Sequence, residues 1–182
     1  FFLTTSTINS SGGYTNGTAT GKGYLDIDLT WNPFNYWPQG QSYAVISYGV
    51  TNNFDIFSYY SIPAKGSHNY YLGFFYQFYK NKFIDLATAI GIRQYLPKSE
   101  KHIFFPQLLY TFYIYNNIRI GGSFVNIKNY KKKYVNIGTT LDIALIIPII
   151  PPKRISYKII DSFDFTIGAF RPALWKPDKR SW

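Results

Sequence analysis

The chain has 182 residues, a length that fits one domain with a substantial core or one small closed barrel. Aromatic residues make up 21% of it and charged residues only 15%, which leaves few charges to cover an ordinary soluble surface. It contains no cysteine, which excludes a disulfide framework, a thiolate metal site and a cysteine nucleophile, and no metal or cofactor is expected. Because methionine is absent even at position 1, we expect that a leader before Phe1 was processed off or left out.

Apolar and polar residues alternate with a period of two along most of the chain, whereas helical periodicity is hard to find. The best apolar run, residues 143–150, is interrupted by Pro148 and falls far short of the roughly 20 residues of a membrane-spanning helix. The pattern therefore predicts an all-β protein. In chain order the ten predicted strands are 24–31, 43–50, 54–62, 70–79, 83–95, 104–115, 118–127, 134–145, 154–160 and 163–171.

The joints between the predicted strands alternate between short and long. The short joints are Asn52-Asn53, 80–82 and Asn116-Asn117, where asparagine tolerates the left-handed backbone of a tight hairpin. The intervening joints are longer and more polar, and this alternation predicts an up-and-down antiparallel meander. We expect residues 1–21 to form a loop or plug-like strap, residues 22–171 to form a barrel, and residues 172–182 to form a C-terminal tail.

The two faces of the predicted strands differ in character. One face carries aromatic and aliphatic residues without charge, and the other carries Gly, Ala, Ser, Thr and nearly all the strand charges. In a soluble barrel or sandwich the apolar face points inward, whereas in a transmembrane barrel it faces lipid and the polar face lines the lumen. Small residues on the polar face, strands of about 10 residues and aromatic residues near strand ends favour the transmembrane arrangement.

The segment SYGVTNNFDIF, residues 47–57, resembles a hairpin of Gram-negative outer-membrane β-barrels. In that hairpin a strand ending in Tyr-Gly-hydrophobic-Thr meets an Asn or Asp turn and restarts with hydrophobic-acidic alternation. The resemblance implies an outer-membrane location, with the bare turn at the periplasmic side. The end of the chain departs from this class, because about a dozen residues follow Phe170 in place of an aromatic terminal residue.

Charged residues of the polar face are candidates for a charge network in the lumen. A barrel of about ten strands is mostly filled by side chains, and its buried charges must be paired or solvated. Such a network would stabilise the barrel through salt bridges, line a narrow conduit for small solutes, or supply acid catalysis. Its candidate members are Asp26, Asp28, Asp85, Asp142, Arg93, Arg119 and Lys158.

Both histidines fall just before strands that follow longer joints. Ser67 precedes His68, and Glu100 lies two residues before His102, so a catalytic set at the barrel rim would suit a lipid-modifying enzyme. None of the motifs of such enzymes is evident, and histidines in surface loops usually serve solubility. We therefore favour a protein that is not an enzyme, with Ser67, His68 and His102 as the candidate catalytic residues of the enzymatic alternative.

Lysines concentrate in the longer joints. Lys98, Lys101, Lys131, Lys132 and Lys133 would contact lipopolysaccharide phosphates or other anionic membrane lipid, or else keep the loops soluble. The formal net charge of +10 would also suit nucleic acid. Nucleic-acid binding is disfavoured, however, because the aromatic residues that would stack on bases lie on the uncharged face, away from the cations.

Three hypotheses follow from the sequence. The first is a small transmembrane β-barrel of an outer membrane, with about ten strands and a structural, adhesive or narrow-channel role. The second is a soluble barrel or sandwich that holds an apolar ligand or forms a subunit of a larger β-rich assembly. The third is a lipid-modifying enzyme that is active at the barrel rim.

Overall fold

The computed structural model describes residues 2–7, 16–30, 41–63, 68–96, 101–115, 118–129, 135–150 and 160–171 of the chain. These residues form ten strands. In chain order they are β1 (Phe2–Thr7), β2 (Tyr24–Thr30), β3 (Gln41–Gly49), β4 (Phe54–Pro63), β5 (Asn69–Lys80), β6 (Ile84–Tyr95), β7 (Lys101–Tyr115), β8 (Ile118–Asn129), β9 (Val135–Ile150) and β10 (Ile160–Arg171).

Nine of these strands, β2 to β10, follow one another as an antiparallel up-and-down sheet that curls into a barrel-like shape. The predicted all-β meander is therefore confirmed. The remaining strand, β1, pairs in parallel with β2 from Phe2 to Thr7 and with β10 from Leu3 to Thr7. No helix in the described ranges is long and apolar enough to span a membrane.

The strands differ from the predicted ones at both ends of the meander. β1 lies in the opening segment, where the sequence predicts no strand, although its β-branched threonines favour an extended backbone. β9 continues to Ile150, whereas the predicted strand ends at Leu145. The prediction stops too early because the uninterrupted apolar run at the end of β9 hides the period-two alternation. Pro148 is tolerated there since, beyond Ile146, β10 is the only neighbour that the described residues give to β9. The predicted strand 154–160 lies outside the described residues except for Ile160, the first residue of β10.

The apolar face of the sheet points outward. On β5 burial alternates from Asn69 to Phe78, so that Leu72 and Phe74 keep 56% and 49% of their surface exposed while Phe75, the next residue, is fully buried. We call the exposed apolar side chains of the strands the outer belt. It includes Leu29, Ile46, Tyr48, Ile56, Tyr60, Tyr70, Leu72, Phe74, Tyr76, Phe78, Ile90, Ile92, Leu108, Phe112, Ile114, Phe124, Ile143, Ile149, Phe165 and Ile167.

The opposite, inner face of the sheet carries the polar residues, and they are buried. Two of them, Asp55 and Asp85, are carboxylates with no exposed surface. The buried polar residues are Ser47, Asp55, Ser61, Asn69, Gln77, Asp85, Gln107, Thr111, Ser123 and Thr166. The fold therefore exposes its apolar face and buries its polar face.

Large apolar residues also occupy the inner face, although the alternation predicts small and polar residues there. Phe57, Tyr59, Tyr71, Phe75 and Leu109 are buried there in one cluster. Glycines make the room for it, since a Cβ atom on Gly91 would lie 2.0 Å from the hydroxyl oxygen of Tyr71, and one on Gly73 would lie 2.6 Å from its ring. Bulky and minimal residues thus alternate across neighbouring strands to fill the interior.

Tyr79 lies outside, although the alternation assigns it to the polar face. The pairing register between β5 and β6 shifts between Gln77 and Tyr79, as at a β-bulge. The shift leaves both Phe78 and Tyr79 exposed, so the two aromatic side chains stand together on the outer surface next to the turn.

Candidate functional site

A short segment of the chain, residues 16–20, lies against the polar part of the inner face. We call it the strap. It contacts β7, β6, β5, β4 and β3 in that order, one strand after another. The hydrogen bonds run from the Gly17 N–H to Thr111 Oγ1 (2.9 Å), from the Thr18 hydroxyl to Asp85 Oδ2 (2.9 Å), from the Ala19 N–H to Gln77 Oε1 (3.2 Å) and from the Thr20 N–H to Asp55 Oδ2 (2.8 Å).

The strap has the residues that such a close approach requires. A Cβ atom on Gly17 would lie 2.7 Å from the carbonyl oxygen of Asp85 and 2.9 Å from that of Leu109, so only glycine fits against the inner face at this point. Asn16 shapes the entry, because its Oδ1 accepts the N–H of Thr18 at 2.9 Å. Gly21 has φ of 91° and Gly23 has φ of 81°, a left-handed backbone that turns the chain from the strap into β2.

Side chains rather than a backbone ladder hold the strap. The Thr20 hydroxyl lies 3.0 Å from Ser47 Oγ, and the Thr18 hydroxyl lies 3.1 Å from Thr111 Oγ1. Each buried carboxylate accepts a hydrogen bond from the strap, which satisfies polar atoms that water cannot reach. The inner face therefore binds this one peptide segment through acceptors on β4, β5, β6 and β7 and through the Ser47 hydroxyl on β3.

Asp85 connects the strap to a second group of polar residues. The Tyr113 hydroxyl donates to the same Asp85 Oδ2 at 2.7 Å. Tyr113 lies directly opposite Arg119 in the register of β7 and β8, and Arg119 forms an ion pair with Asp164 on β10. Charged and hydroxyl groups thus follow the inner face from the strap to the last strand.

The aromatic cluster occupies the inner face farther from the short turns. The rings of Tyr59 and Tyr71 stack with an interplanar angle of 1° and a centroid distance of 4.9 Å, and Phe57 lies 5.1 Å from Tyr71. The Tyr71 hydroxyl accepts a hydrogen bond from Gln107 Nε2 at 2.9 Å. The strap and this cluster thus pack against two different levels of the inner face.

No known protein family, curated protein or solved structure matches the chain.

The structure places some of the predicted lumen charges in one system and separates others. Asp85 and Arg119 both belong to the polar system beside the strap. Arg93 is half-buried on β6 near Tyr71, and Asp26 and Asp28 are half-buried on β2. Asp142 is in β9 opposite Phe170, and Lys158 lies outside the described residues.

The other predicted site residues are dispersed. His68 is exposed just before β5, and its Nδ1 lies 2.6 Å from the Tyr60 hydroxyl, while His102 is in β7 opposite Arg93 and Asn129. Lys101 is the first residue of β7. Ser67, Lys98, Lys131, Lys132 and Lys133 lie outside the described residues. Within the described ranges no three His, Cys, Asp or Glu side chains are placed to hold a metal ion.

Several members of the site are absent from the sequence-based candidates. These are Asp55, Gln77, Thr111, Tyr113 and Asp164; the strap lies within the loop or plug-like segment predicted for residues 1–21, but none of its residues is among the predicted site residues. Asp55, Gln77, Thr111 and Asp164 sit at inward positions of the alternation, so the sequence indicates their face. The first three bind the strap, which is up to 94 residues away, and Asp164 pairs with Arg119, 45 residues away. The small residues of Asn16-Gly17-Thr18-Ala19-Thr20 are the available signal that this segment fits a crowded interior.

Replacing Asp85 by alanine is expected to destabilise the fold. Two partly buried hydroxyls, those of Thr18 and Tyr113, would lose a charged acceptor, which costs about 2 to 4 kcal/mol of unfolding free energy. The measurement is urea unfolding of the refolded protein, with Asp85→Asn as the control, because its amide oxygen still accepts one hydroxyl. Equal and small losses in both variants would contradict the role assigned to this carboxylate.

Proposed function

We propose that the chain is a small outer-membrane β-barrel whose outer belt contacts lipid and whose lumen is filled by the strap and the aromatic cluster. In this proposal β1 closes the nine-stranded meander into a barrel, since it pairs with both β2 and β10. The role is structural, because the interior at the described residues is packed with side chains. The observation that carries the proposal is the inverted fold, with apolar side chains exposed and carboxylates buried.

The size of the outer belt supports contact with lipid. Soluble monomers rarely expose a continuous apolar patch beyond about 300–600 Å². Here apolar side chains such as Leu72, Phe74, Ile90 and Phe112 are exposed on the adjacent strands β5, β6 and β7, each between 45% and 56%. Each square ångström of apolar surface removed from water gains about 25 cal/mol, so a hydrocarbon environment stabilises this surface strongly.

The strands are long enough to cross a bilayer. A tilted transmembrane strand needs about 9 to 11 residues, and β5, β6, β8 and β10 each have 12. At about 3.3 Å per residue β5 is about 40 Å long, and a tilt of about 40° gives it a height of about 30 Å, the thickness of the hydrocarbon layer.

Tyrosines mark both margins of the outer belt. Tyr60 and Tyr70 face each other at the end with the long joints, and Tyr76 and Tyr79 stand near the short turn after β5. Amphipathic rings of this kind are enriched at membrane–water interfaces. From Tyr70 to Phe78 the outward positions cover a height of about 20 Å, close to the apolar band of known barrels.

A narrow channel is the second candidate function. Asp55, Asp85, Arg119 and Asp164 would line its polar part, and the strap and the aromatic cluster would have to move for a solute to pass. A partner subunit that covers the outer belt in a soluble assembly is the third. The three candidates differ in the solvent that they need and in conductance.

Refolding tests the proposal directly. The chain is refolded in dodecyl maltoside micelles and, separately, in buffer, and unheated samples are compared with boiled samples on a gel. We expect a compact, heat-modifiable band only in micelles, because only there is the outer belt removed from water. A folded monomer in buffer would contradict the lipid contact, and a defined soluble oligomer on size exclusion would favour the assembly.

A further inference from the structure

Four side chains with polar tips stand together on the outer face at the end with the long joints. We call Tyr60, His68, Tyr70 and Gln94 the rim cluster. Tyr60 lies opposite Tyr70 in the register of β4 and β5, and Tyr70 lies opposite Gln94 in the register of β5 and β6. Neither the strap nor the filled interior uses these residues.

Two hydrogen bonds within the rim cluster occupy one polar atom of His68 and one of Gln94. The Tyr70 hydroxyl donates to Gln94 Oε1 at 2.8 Å. The Tyr60 hydroxyl lies 2.6 Å from His68 Nδ1, and the two rings pack with centroids 5.7 Å apart. With Nδ1 accepting from the hydroxyl, the imidazole carries its proton on Nε2, and the protonated ring carries one there as well. In that arrangement the cluster presents N–H donors, on His68 Nε2 and on the Gln94 amide, to a partner outside the chain.

Exposed apolar side chains lie next to these donors on the outer face. Leu72 and Ile92 lie opposite each other at the next outward positions of β5 and β6, and they are 56% and 47% exposed. Lys101 lies opposite Gln94 in the register of β7. The two acidic residues of β4 to β6, Asp55 and Asp85, are buried on the inner face, so none opposes an anion on the outside of these strands.

We propose that the rim cluster binds the phosphate group of a membrane lipid, with the acyl chains of that lipid along Leu72 and Ile92. The inference rests on the proposed membrane location. Phosphate oxygens are strong acceptors for N–H donors, and a donor pair placed above an apolar surface suits a headgroup joined to hydrocarbon. The site would fix the depth and the direction of the barrel in the bilayer.

Histidine-selective ¹⁵N spectra test this inference, because the chain has only two histidines and a His102→Gln variant assigns both signals. The protein refolded in dodecyl maltoside is titrated with phosphatidylglycerol, with a neutral galactosyl diacylglycerol, and with inorganic phosphate. We expect the His68 Nε2 signal to shift with phosphatidylglycerol at the lowest concentration. Gln94→Ala should weaken that binding roughly fivefold, because one donor to a charged acceptor is lost.

The matched control is Tyr76→Phe, on the same strand at the opposite margin of the outer belt, which should leave the titration unchanged. An equal response to the galactolipid, an equal response to inorganic phosphate, or an unchanged titration of Gln94→Ala would each overturn the inference while leaving the membrane proposal intact. The gel assay is read first, since a protein that does not fold in micelles would remove both proposals together.

Discussion

Arginine in place of Ile90 is expected to lower the unfolding free energy in a bilayer by about 2 to 4 kcal/mol, or to prevent insertion altogether. Ile90 lies near the middle of β6, is 49% exposed and faces outward opposite Phe74. In the proposed barrel this places the guanidinium near the centre of the hydrocarbon layer, where a charge loses its hydration. The measurement is urea unfolding of the protein reconstituted in phospholipid vesicles, followed by the gel shift.

Phe83→Arg is the matched control for this prediction. Phe83 is 61% exposed and lies in the turn after β5, beside the ammonium group of Lys82. The cost of an arginine falls to about 0 to 1 kcal/mol near the interface, so this variant should insert normally. If both variants were equally well tolerated, water rather than lipid would cover the outer belt, because exposed positions in water accept arginine.

The sequence predicts the strands and their two faces because alternation is a local property. On β5 every outward residue from Tyr70 to Phe78 is aromatic or aliphatic, and the inward positions include Gly73 and Gln77, although Tyr71 and Phe75 also face inward. The bulge after Gln77 is not encoded in this pattern. It depends on how β5 pairs with β6, and a one-residue shift moves Tyr79 from the predicted inner face to the outside.

The partners within the site are beyond prediction from the pattern. Arg119 faces inward by alternation, yet its partner is Asp164, 45 residues away on β10, rather than one of the other inward carboxylates. The choice depends on the stagger between β8, β9 and β10, which no short stretch of sequence specifies. The same holds for β1, whose six residues carry no charge and whose parallel partners are β2, the next strand, and β10, the last one.

The strap shows the same limit from the opposite direction. Its composition predicts a loop-like or plug-like segment, but its position depends on Thr111, Asp85, Gln77 and Asp55, which four different strands supply. Gly17 is required by the close approach to the backbone of β6 and β7, and not by any local turn. The sequence shows that residue 17 is small, but it does not indicate the surface against which Gly17 packs.

Gly17→Ala is expected to detach the strap and to speed tryptic cleavage after Lys22 by roughly tenfold. The added Cβ would lie 2.7–2.9 Å from backbone atoms of Asp85, Leu109 and Tyr110, which cannot move aside as a side chain can. Overpacking of this kind costs about 1 to 3 kcal/mol, and cleavage follows the population of the opened segment. Lys22 is exposed next to the strap, and the exposed Lys82 in the turn after β5 serves as the internal reference, because global unfolding would accelerate both cleavages.

Gly168→Ala is the matched control, since its Cβ would lie 2.7 Å from a carbonyl oxygen on β9, in the wall rather than at the strap. This variant should lose stability without selective cleavage at Lys22.

Conductance across a planar bilayer then separates the structural role from the channel. We expect Gly17→Ala to stay closed, because Phe57, Tyr59 and Tyr71 still fill the interior beyond the strap, and we expect current only when Tyr71→Ala is added. Current through Gly17→Ala alone would mean that the strap is the barrier to flow, and the narrow channel would then replace the filled barrel as the function of this fold.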